Sequence, residues 1–228
     1  MKIGIIVAMG KELQLLLPLL ENRTEAQAEG RTYYTGQIGG NDIFLLQCGI
    51  GKVNAALSTD MLVRLCRPDL VVNSGVAGGA DASMHVLDLL VADTVAYHDV
   101  WCGPGTEWGA ASGCDTLMTC SPVVLEEARK VLAGNPHFRE GLICSGDIFV
   151  SKAEEVAAIK SHFPQALAVD MESGAVAQVC SMHSIPFSII RVVSDTPGQA
   201  ENISQYENFW TDAPRETFSA LVSILSNL

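Results

Sequence analysis

Basic residues are scarce in this chain. Lys and Arg number 14 against 26 Asp and Glu, which gives the 228 residues a formal net charge of −12 at pH 7. Nucleic acids and anionic membranes are bound largely through Lys and Arg, so this balance argues against both as partners. A nucleoside carries no phosphate and stays compatible with an acidic protein.

Other signals are missing as well. Asp, Gly or Pro interrupts every apolar run well before the roughly 20 residues of a membrane-spanning helix. The N-terminus has no basic region followed by a small-residue cleavage site, so we expect a cytoplasmic protein. The 7 cysteines never form a C-x-x-C pair, which favours reduced and mostly buried thiols. The histidines are scattered without ligand spacing, so no metal site is predicted.

Apolar residues are abundant, at 48% of the chain with a mean hydropathy of +0.26. They form short runs that alternate with amphipathic segments, as in proteins whose buried sheet is covered by helices. We predict one α/β domain over residues 1–228, a three-layer sandwich with a mixed, mostly buried central sheet flanked by helices. Strands are predicted near 2–8, 31–38, 41–48, 69–74, 87–95, 116–119, 140–147, 166–170 and 186–194, and helices near 11–20, 53–66, 122–133, 153–162, 173–183 and 206–227.

The segment AVDMESGA at 168–175 combines a strand end with two acids. Asp170 and Glu172 flank Met171 between a predicted strand and a predicted helix. Such strand ends are where α/β sheets bind ligands, and a buried acid there needs a partner. A carboxylate can accept hydrogen bonds from two hydroxyls, and a thioether can pack on a sugar ring. The segment therefore predicts a ribose-binding site.

Two more acids follow predicted strands. Glu12 lies after the first strand, and Asp195 ends the apolar run 192–195. Alone, Glu12 is most simply a partner of a helix dipole, and Asp195 could be a turn or capping residue. With Asp170 and Glu172, three strand ends terminate in acids, which favours one shared cleft. Phe149 follows a fourth strand, where a core position is the commoner role.

Two glycine-rich segments lie after predicted strands. CGIGKVN at 48–54 lacks the third glycine of a dinucleotide fingerprint, because Asn54 occupies that position. It is also no P-loop, since Val53 stands where Ser or Thr is required. NSGVAGGA at 73–80 either brings backbone amides close to a ligand or forms only a tight turn. Both interpretations stay open, and no G-x-S-x-G hydrolase motif occurs.

These segments resemble, as an ordered set, the 5′-methylthioadenosine/S-adenosylhomocysteine nucleosidases of the nucleoside phosphorylase superfamily. Each motif alone is weak, but together they span nearly the whole chain, which makes the resemblance specific. The segments that carry it are MKIGII at 1–6 with Ala8, Met9 and Glu12, GIGKV at 49–53, GVAGG at 75–79, YHD at 97–99, SGDIF at 145–149, FPQA at 163–166, Met171-Glu172 and Ser194-Asp195.

The resemblance implies a nucleoside phosphorylase-like fold and hydrolysis of an N-glycosidic bond to release adenine, with no cofactor. By position, Glu12 would be the general base for the attacking water and Asp195 the acid that protonates purine N7. Glu172 would accept the ribose hydroxyls. The other implied substrate-binding residues are Met171 on the sugar, Phe149 stacked on adenine, Val150 at the adenine edge, Ala77 and Gly78 near sugar and base, and Ser194 supporting Asp195.

The resemblance also implies a homodimer, in which the partner chain helps to close the pocket for the 5′-substituent. It places Met9, Ile50 and Trp101 near that interface. Two departures bear on the site: Lys11 precedes the presumed base and is expected to point to solvent, and Val76 stands where many relatives have Ser. They leave the preferred 5′-substituent open.

Three other functions compete with hydrolysis. A phosphorolytic purine nucleoside phosphorylase would need arginines at the glycine-rich loops, where none occurs, and Glu12 would repel phosphate. A non-catalytic nucleoside-binding module would not need a paired acid and base. A nicotinamide-dependent oxidoreductase is disfavoured by Asn54 in the broken fingerprint.

Overall fold

A computed structural model describes residues 1–212 and 218–228 of the chain. A mixed sheet of ten strands runs through this part. None of its helices is long and apolar enough to cross a bilayer. The strands are β1 (Lys2–Val7), β2 (Glu21–Ala28), β3 (Arg31–Ile38), β4 (Asn41–Gln47), β5 (Leu70–Gly79), β6 (Leu89–Tyr97), β7 (Met118–Thr119), β8 (Phe138–Ser145), β9 (Ala166–Asp170) and β10 (Phe187–Asp195). The helices are α1 (Gly10–Leu16), α2 (Lys52–Cys66), α3 (Pro122–Val131), α4 (Ala153–His162), α5 (Ser173–Met182), α6 (Asn202–Asp212) and α7 (Ser219–Leu225).

Strand β5 organises the part of the sheet that carries the strand-end acids. It pairs in parallel with β1 and with β10, so the carboxyl ends of these three strands share one edge. At that edge its last residues, Gly78 and Gly79, pair antiparallel with β9, and Gly78 faces Val169. The strands β10, β6, β8 and β9 follow in order, so the sheet closes on itself through β5. This closure brings Asp170 next to the ends of β5 and β10.

Helices cover both faces of the sheet. In β1, Ile6 packs into the cluster that contains residues of α2 and α5, whereas Ile3 and Ile5 pack with α3 and α7. Alternate side chains of a strand point to opposite faces, so this division places a helical layer on each side. The predicted three-layer α/β arrangement is confirmed.

Several predicted boundaries are wrong for identifiable reasons. β2 was not predicted, because it is a polar and largely exposed strand at the end of the sheet. The strand predicted at 69–74 continues through the glycine-rich segment to Gly79, which therefore forms no tight turn. The first helix ends at Leu16, because Pro18 cannot continue it, and Leu17–Leu19 forms a short 3-10 helix instead. The single helix predicted at 206–227 corresponds to α6 and α7, and its residues 213–217 lie outside the described part.

The thiols agree with the expected pattern. All seven cysteines are unpaired, and five of them are buried. Burial raises the pKa of Cys48, which lies beside the acids described below, to about 12. A thiol that stays protonated is a poor nucleophile and metal ligand. We therefore assign Cys48 a packing role.

Candidate active site

One cavity at the shared edge of β1, β5 and β10 brings together the predicted site residues. Trp101, which was predicted to lie near a dimer interface, does not line this cavity, and its ring stacks on Trp108 with centroids 6.1 Å apart. Within the described residues, no group of three or more His, Cys, Asp or Glu side chains could hold a metal ion. The predicted residues that line the cavity are Met9, Glu12, Ile50, Ala77, Gly78, Phe149, Val150, Met171, Glu172, Ser194 and Asp195.

Glu12 is held by backbone amides in the first turn of α1. Its Oε2 accepts the N–H groups of Ala8 at 2.9 Å and Met9 at 2.8 Å, and its Oε1 accepts that of Val76 at 3.0 Å. Burial raises the pKa of Glu12, while Arg191 and the three amides oppose this rise. A carboxylate oxygen can accept two hydrogen bonds, so Oε1 has room for a further donor. The arrangement suits a fixed proton acceptor.

Gly75 explains how the glycine-rich strand reaches Glu12. A Cβ atom at residue 75 would lie 2.4 Å from Oε1 of Glu12 and 3.3 Å from Nη1 of Arg191. Only glycine therefore lets the strand pass this close. The backbone N–H of Val76, in the glycine-rich strand, donates to the carboxylate of Glu12 at the cavity wall.

A buried ion pair lies beneath the cavity. Arg191 of β10 is 2% exposed, and its Nε and Nη2 donate to Oδ2 of Asp170 at 3.0 and 2.6 Å. Its Nη2 also donates to Oδ1 of Asn73 at 2.5 Å, and the hydroxyl of Ser173 donates to Asp170. These contacts occupy Asp170 within the protein. Of the two acids in the predicted ribose-binding segment, Glu172 is the one left for a ligand.

Glu172 immediately precedes α5, and its side chain makes no capping hydrogen bond to that helix. Its Oε1 accepts the N–H of Gly51 at 2.9 Å, and its Oε2 lies 4.0 Å from Nη2 of Arg191. Burial, reinforced by the neighbouring Asp170, raises the pKa of Glu172 to about 7 despite Arg191. Near neutral pH the side chain is therefore divided between the carboxylic acid and the carboxylate, and the carboxylate form can accept hydrogen bonds from a ligand.

The loops around Glu172 are tied together by one polar network. Nζ of Lys52 lies 2.9 Å from both carboxylate oxygens of Asp99. Asp99 in turn accepts the backbone N–H of Asp147 at 2.9 Å, and Asp147 accepts that of Lys52 at 2.8 Å. The network joins the loop of Gly51, which contacts Glu172, to the loop that carries Phe149. It fixes two walls of the cavity relative to each other.

Asp195 ends β10 in a buried position with two donors. The hydroxyl of Ser194 donates to its Oδ1 at 2.6 Å, and Nδ2 of Asn202 donates to its Oδ2 at 2.5 Å. Burial raises the pKa of Asp195, and both hydrogen bonds oppose the rise. A carboxyl group with a raised pKa can hold a proton and deliver it to a bound ligand.

Aromatic side chains form the open side of the cavity. Phe149 is half-exposed and meets the ring of Tyr206 edge-on, with centroids 5.5 Å apart. The hydroxyl of Tyr206 lies 3.4 Å from Sδ of Met9. Lys11 is exposed, and its Nζ lies over the ring of Trp210, 5.2 Å from the ring centroid. The expectation that Lys11 points to solvent agrees with its exposure.

Three contributors to the site were not predicted. Arg191 carried a usable signal, because a lone cation inside the buried run 187–194 requires an anionic partner. Asn202 and Tyr206 carried none, since they lie on a polar helix whose position over the cavity depends on the chain after Asp195. Local sequence does not determine that position.

The sequence and fold of the chain match proteins of known structure. A sequence profile of the Phosphorylase superfamily matches residues 2–226. The 5′-methylthioadenosine/S-adenosylhomocysteine nucleosidase of S. pneumoniae, solved with the transition-state inhibitor MT-ImmA, is 35% identical with a TM-score of 0.95, and 99% of each chain is covered.

Two further structures agree with this match. The S-adenosylhomocysteine nucleosidase of Streptococcus pyogenes, in complex with 5-methylthiotubericidin, is 35% identical with a TM-score of 0.95 over 100% of this chain and 97% of that one. The 5′-methylthioadenosine/S-adenosylhomocysteine nucleosidase of Colwellia psychrerythraea 34H, in complex with adenine, is 35% identical with a TM-score of 0.92 over 100% of this chain and 96% of that one. The similarity extends over the entire fold.

Proposed function

The chain belongs to the phosphorylase superfamily and, within it, to the 5′-methylthioadenosine/S-adenosylhomocysteine nucleosidases, and we propose that it hydrolyses one or both of these nucleosides to release adenine. The observation that carries the proposal is that Glu12, Glu172 and Asp195, distant in sequence, line one cavity. A cytoplasmic location stays a prediction of the sequence.

Glu12 is the proposed general base. Water attacks C1′ of the ribose as the C1′–N9 bond breaks, and the proton of the water passes to the carboxylate of Glu12. The backbone amides of Ala8, Met9 and Val76 hold that carboxylate in place. Burial raises its pKa, which brings it nearer to the working pH of a general base.

Asp195 is the proposed general acid. The electrons of the broken bond move into the purine, which is a poor leaving group until it is protonated. Transfer of the carboxyl proton of Asp195 to N7 lets adenine leave as a neutral molecule. The donors Ser194 and Asn202 are already in place for the carboxylate that remains.

The remaining cavity residues are assigned to binding. Glu172 accepts hydrogen bonds from the ribose hydroxyls, and its charge stabilises the positive charge that develops on the sugar. Met171 packs on the sugar and Phe149 stacks on adenine. The other proposed substrate contacts are Ala77, Gly78, Val150 and Ser194, with Met9 and Ile50 towards the 5′-substituent.

Phosphorolysis is the competing reaction, and the charges at the site disfavour it. Arg191 is the cation paired with these acids, and its Nε and Nη2 are already engaged by Asp170 and Asn73. Glu12 and Glu172 add two further carboxyl groups around it. A phosphate dianion in this position would meet uncompensated negative charge.

Adenine release in phosphate-free buffer separates the two reactions. We expect the purified protein to convert 5′-methylthioadenosine, S-adenosylhomocysteine or both to adenine at a rate that added phosphate does not change. Chromatography of the products would quantify adenine and the free 5′-substituted ribose. A requirement for phosphate, or recovery of a ribose 1-phosphate, would refute hydrolysis.

We also propose a homodimer that covers the face next to the cavity. Val53 and Leu57 of α2 are 70% and 60% exposed, and Met182 of α5 is 74% exposed. Val53 and Met182 line a mostly apolar groove between α2 and α5, and Ile50, two residues before α2, lines the cavity. A second copy on this face would remove the apolar side chains from water and reach the mouth of the site.

Leu57→Asp tests this dimer. We expect the unsubstituted protein to have twice the mass of its 24.3 kDa chain in light scattering after gel filtration. The variant should shift towards the monomer, because a charge in an apolar interface is costly, and should lose activity. Val123→Asp is the control, since Val123 is 59% exposed on α3 in the other helical layer. A monomeric unsubstituted protein would contradict the proposal.

A further inference from the structure

Asn202 occupies an unusual place for an amide side chain. It is the first residue of α6, it is 2% exposed, and its Nδ2 lies 2.5 Å from Oδ2 of Asp195. The other carboxyl oxygen receives the hydroxyl of Ser194 at 2.6 Å. Each oxygen of Asp195 therefore has its own donor, one from β10 and one from α6.

Within residues 1–212 and 218–228, the bond to Asp195 is the one hydrogen bond that the side chain of Asn202 makes. Its Oδ1 is buried without a hydrogen-bond partner in the part of the chain that the structure describes. Leaving a buried acceptor unsatisfied is unfavourable, and an apolar side chain of similar size would avoid it. A polar residue here is accounted for by its contact with Asp195.

We propose that Asn202 is a positioning residue for Asp195, which orients the carboxyl group and stabilises the carboxylate left after its proton has moved to the purine. The inference rests on the proposed function. Preorganised donors aimed at a developing charge are effective because they need no rearrangement during the reaction. Donors to the ionised form also make the group a stronger acid.

Among the described residues, no cation lies beside Asp195 to stabilise its carboxylate. The ionisable groups that line the cavity with Asp195 are Glu12, Glu172, Asp170 and Tyr206, of which none is a cation. The ion pairs of the described residues include none with Asp195. Stabilisation of its negative charge therefore depends on Ser194 and Asn202.

The same contact connects Asp195 to the helix that closes the site. Beside it, Oε1 of Gln205 accepts the backbone N–H of Thr196 at 2.9 Å and its hydroxyl at 2.8 Å. One turn of α6 is thus fastened to the end of β10 at two points. The next residue, Tyr206, lines the cavity.

Asn202→Leu removes the hydrogen-bond donor and replaces it by an apolar side chain of similar volume. We expect kcat for adenine release from 5′-methylthioadenosine to fall roughly ten- to a hundredfold, the range of a charge-assisted hydrogen bond, with KM little changed. The alkaline limb of the kcat profile should move to higher pH, because Asp195 without this donor holds its proton more tightly. Asn208→Leu on the exposed side of α6 should change neither quantity.

Asn202→Asp supplies a test that does not depend on the apolar variant folding well. It keeps the shape but faces Asp195 with a second carboxyl group, which repels it when ionised and can donate when protonated. We expect kcat to be low at neutral pH and to recover on acidification relative to the unsubstituted enzyme. A merely structural role would give no such recovery.

The outcomes separate this inference from the proposed function. Unchanged kcat and pH profiles in both variants, or losses of kcat without any change in profile, would overturn the role of Asn202 alone. Absence of adenine release by the unsubstituted enzyme would overturn the proposed function and the inference with it. Thermal unfolding of each variant identifies losses that arise from misfolding.

Discussion

Replacing Glu12 by glutamine is expected to lower kcat for adenine release about a thousandfold, while the affinity for the nucleoside changes by no more than a few-fold. The amide has nearly the same shape as the carboxylate but cannot take a proton from water at neutral pH. General-base catalysis contributes about 10²–10⁴ to rates, so its loss should appear almost entirely in kcat.

The hydrogen bonds of Glu12 determine what else the substitution changes. Ala8 and Met9 donate to Oε2, and Val76 donates to Oε1. A glutamine can present its oxygen to only one of these sets, so its NH₂ group faces an N–H donor at the other. Such an unsatisfied pair costs about 1–3 kcal/mol of stability. We therefore expect a lower melting temperature in a variant that still folds.

Single-turnover kinetics and calorimetry with 5′-methylthioadenosine distinguish these effects. Glu154→Gln is the matched control, because it makes the same chemical change at an exposed position in the first turn of α4. The control should keep both kcat and stability. Unchanged turnover in Glu12→Gln would remove Glu12 as the base, and lost affinity would indicate a collapsed cavity.

The convergence of the acids could be predicted because it follows from a simple rule of sheets. Glu12 and Asp195 come after apolar runs that read as parallel strands, and the carboxyl ends of parallel strands share an edge. The structure places these ends together through the pairing of β5 with β1 and β10. Glu172 follows β9, which pairs antiparallel with β5, so this rule alone does not account for its place in the cavity.

The contacts that hold Asp170 and Asp195, from Arg191 and Asn202, could not be predicted from the local sequence pattern. Asp170 looked like a ligand for ribose, yet its partner is Arg191, which lies 21 positions away in sequence. The position of Asn202 depends on how the chain turns back after Asp195, and that turn depends on tertiary contacts such as Gln205 with Thr196. The lone cation in the run 187–194 indicates that Arg191 needs an anionic partner, but the local pattern does not identify that partner or the position of Asn202.

Replacing Asp195 by asparagine should be as damaging as the loss of the base, but in a way that depends on the leaving group. An amide cannot deliver a proton to N7, so we expect kcat for adenine release to fall by about 10²–10⁴. A 5-methylthioribosyl compound that carries 4-nitrophenolate needs no protonation of its leaving group. Its hydrolysis should fall much less, because Glu12 and Glu172 are unchanged.

The pH dependence of kcat is an independent test of Asp195 as the general acid. Burial raises the pKa of Asp195, so the protonated acid persists above the ordinary range of an aspartate. In the unsubstituted enzyme kcat for adenine release should fall as the pH rises through that pKa, and Asp195→Asn should lack this alkaline limb. Asp42→Asn, exposed on β4 and outside the cavity, is the control. Equal losses on both leaving groups would mean that Asp195 acts on the ribose or on the fold, because an acid that protonates the purine cannot affect a leaving group that departs without a proton.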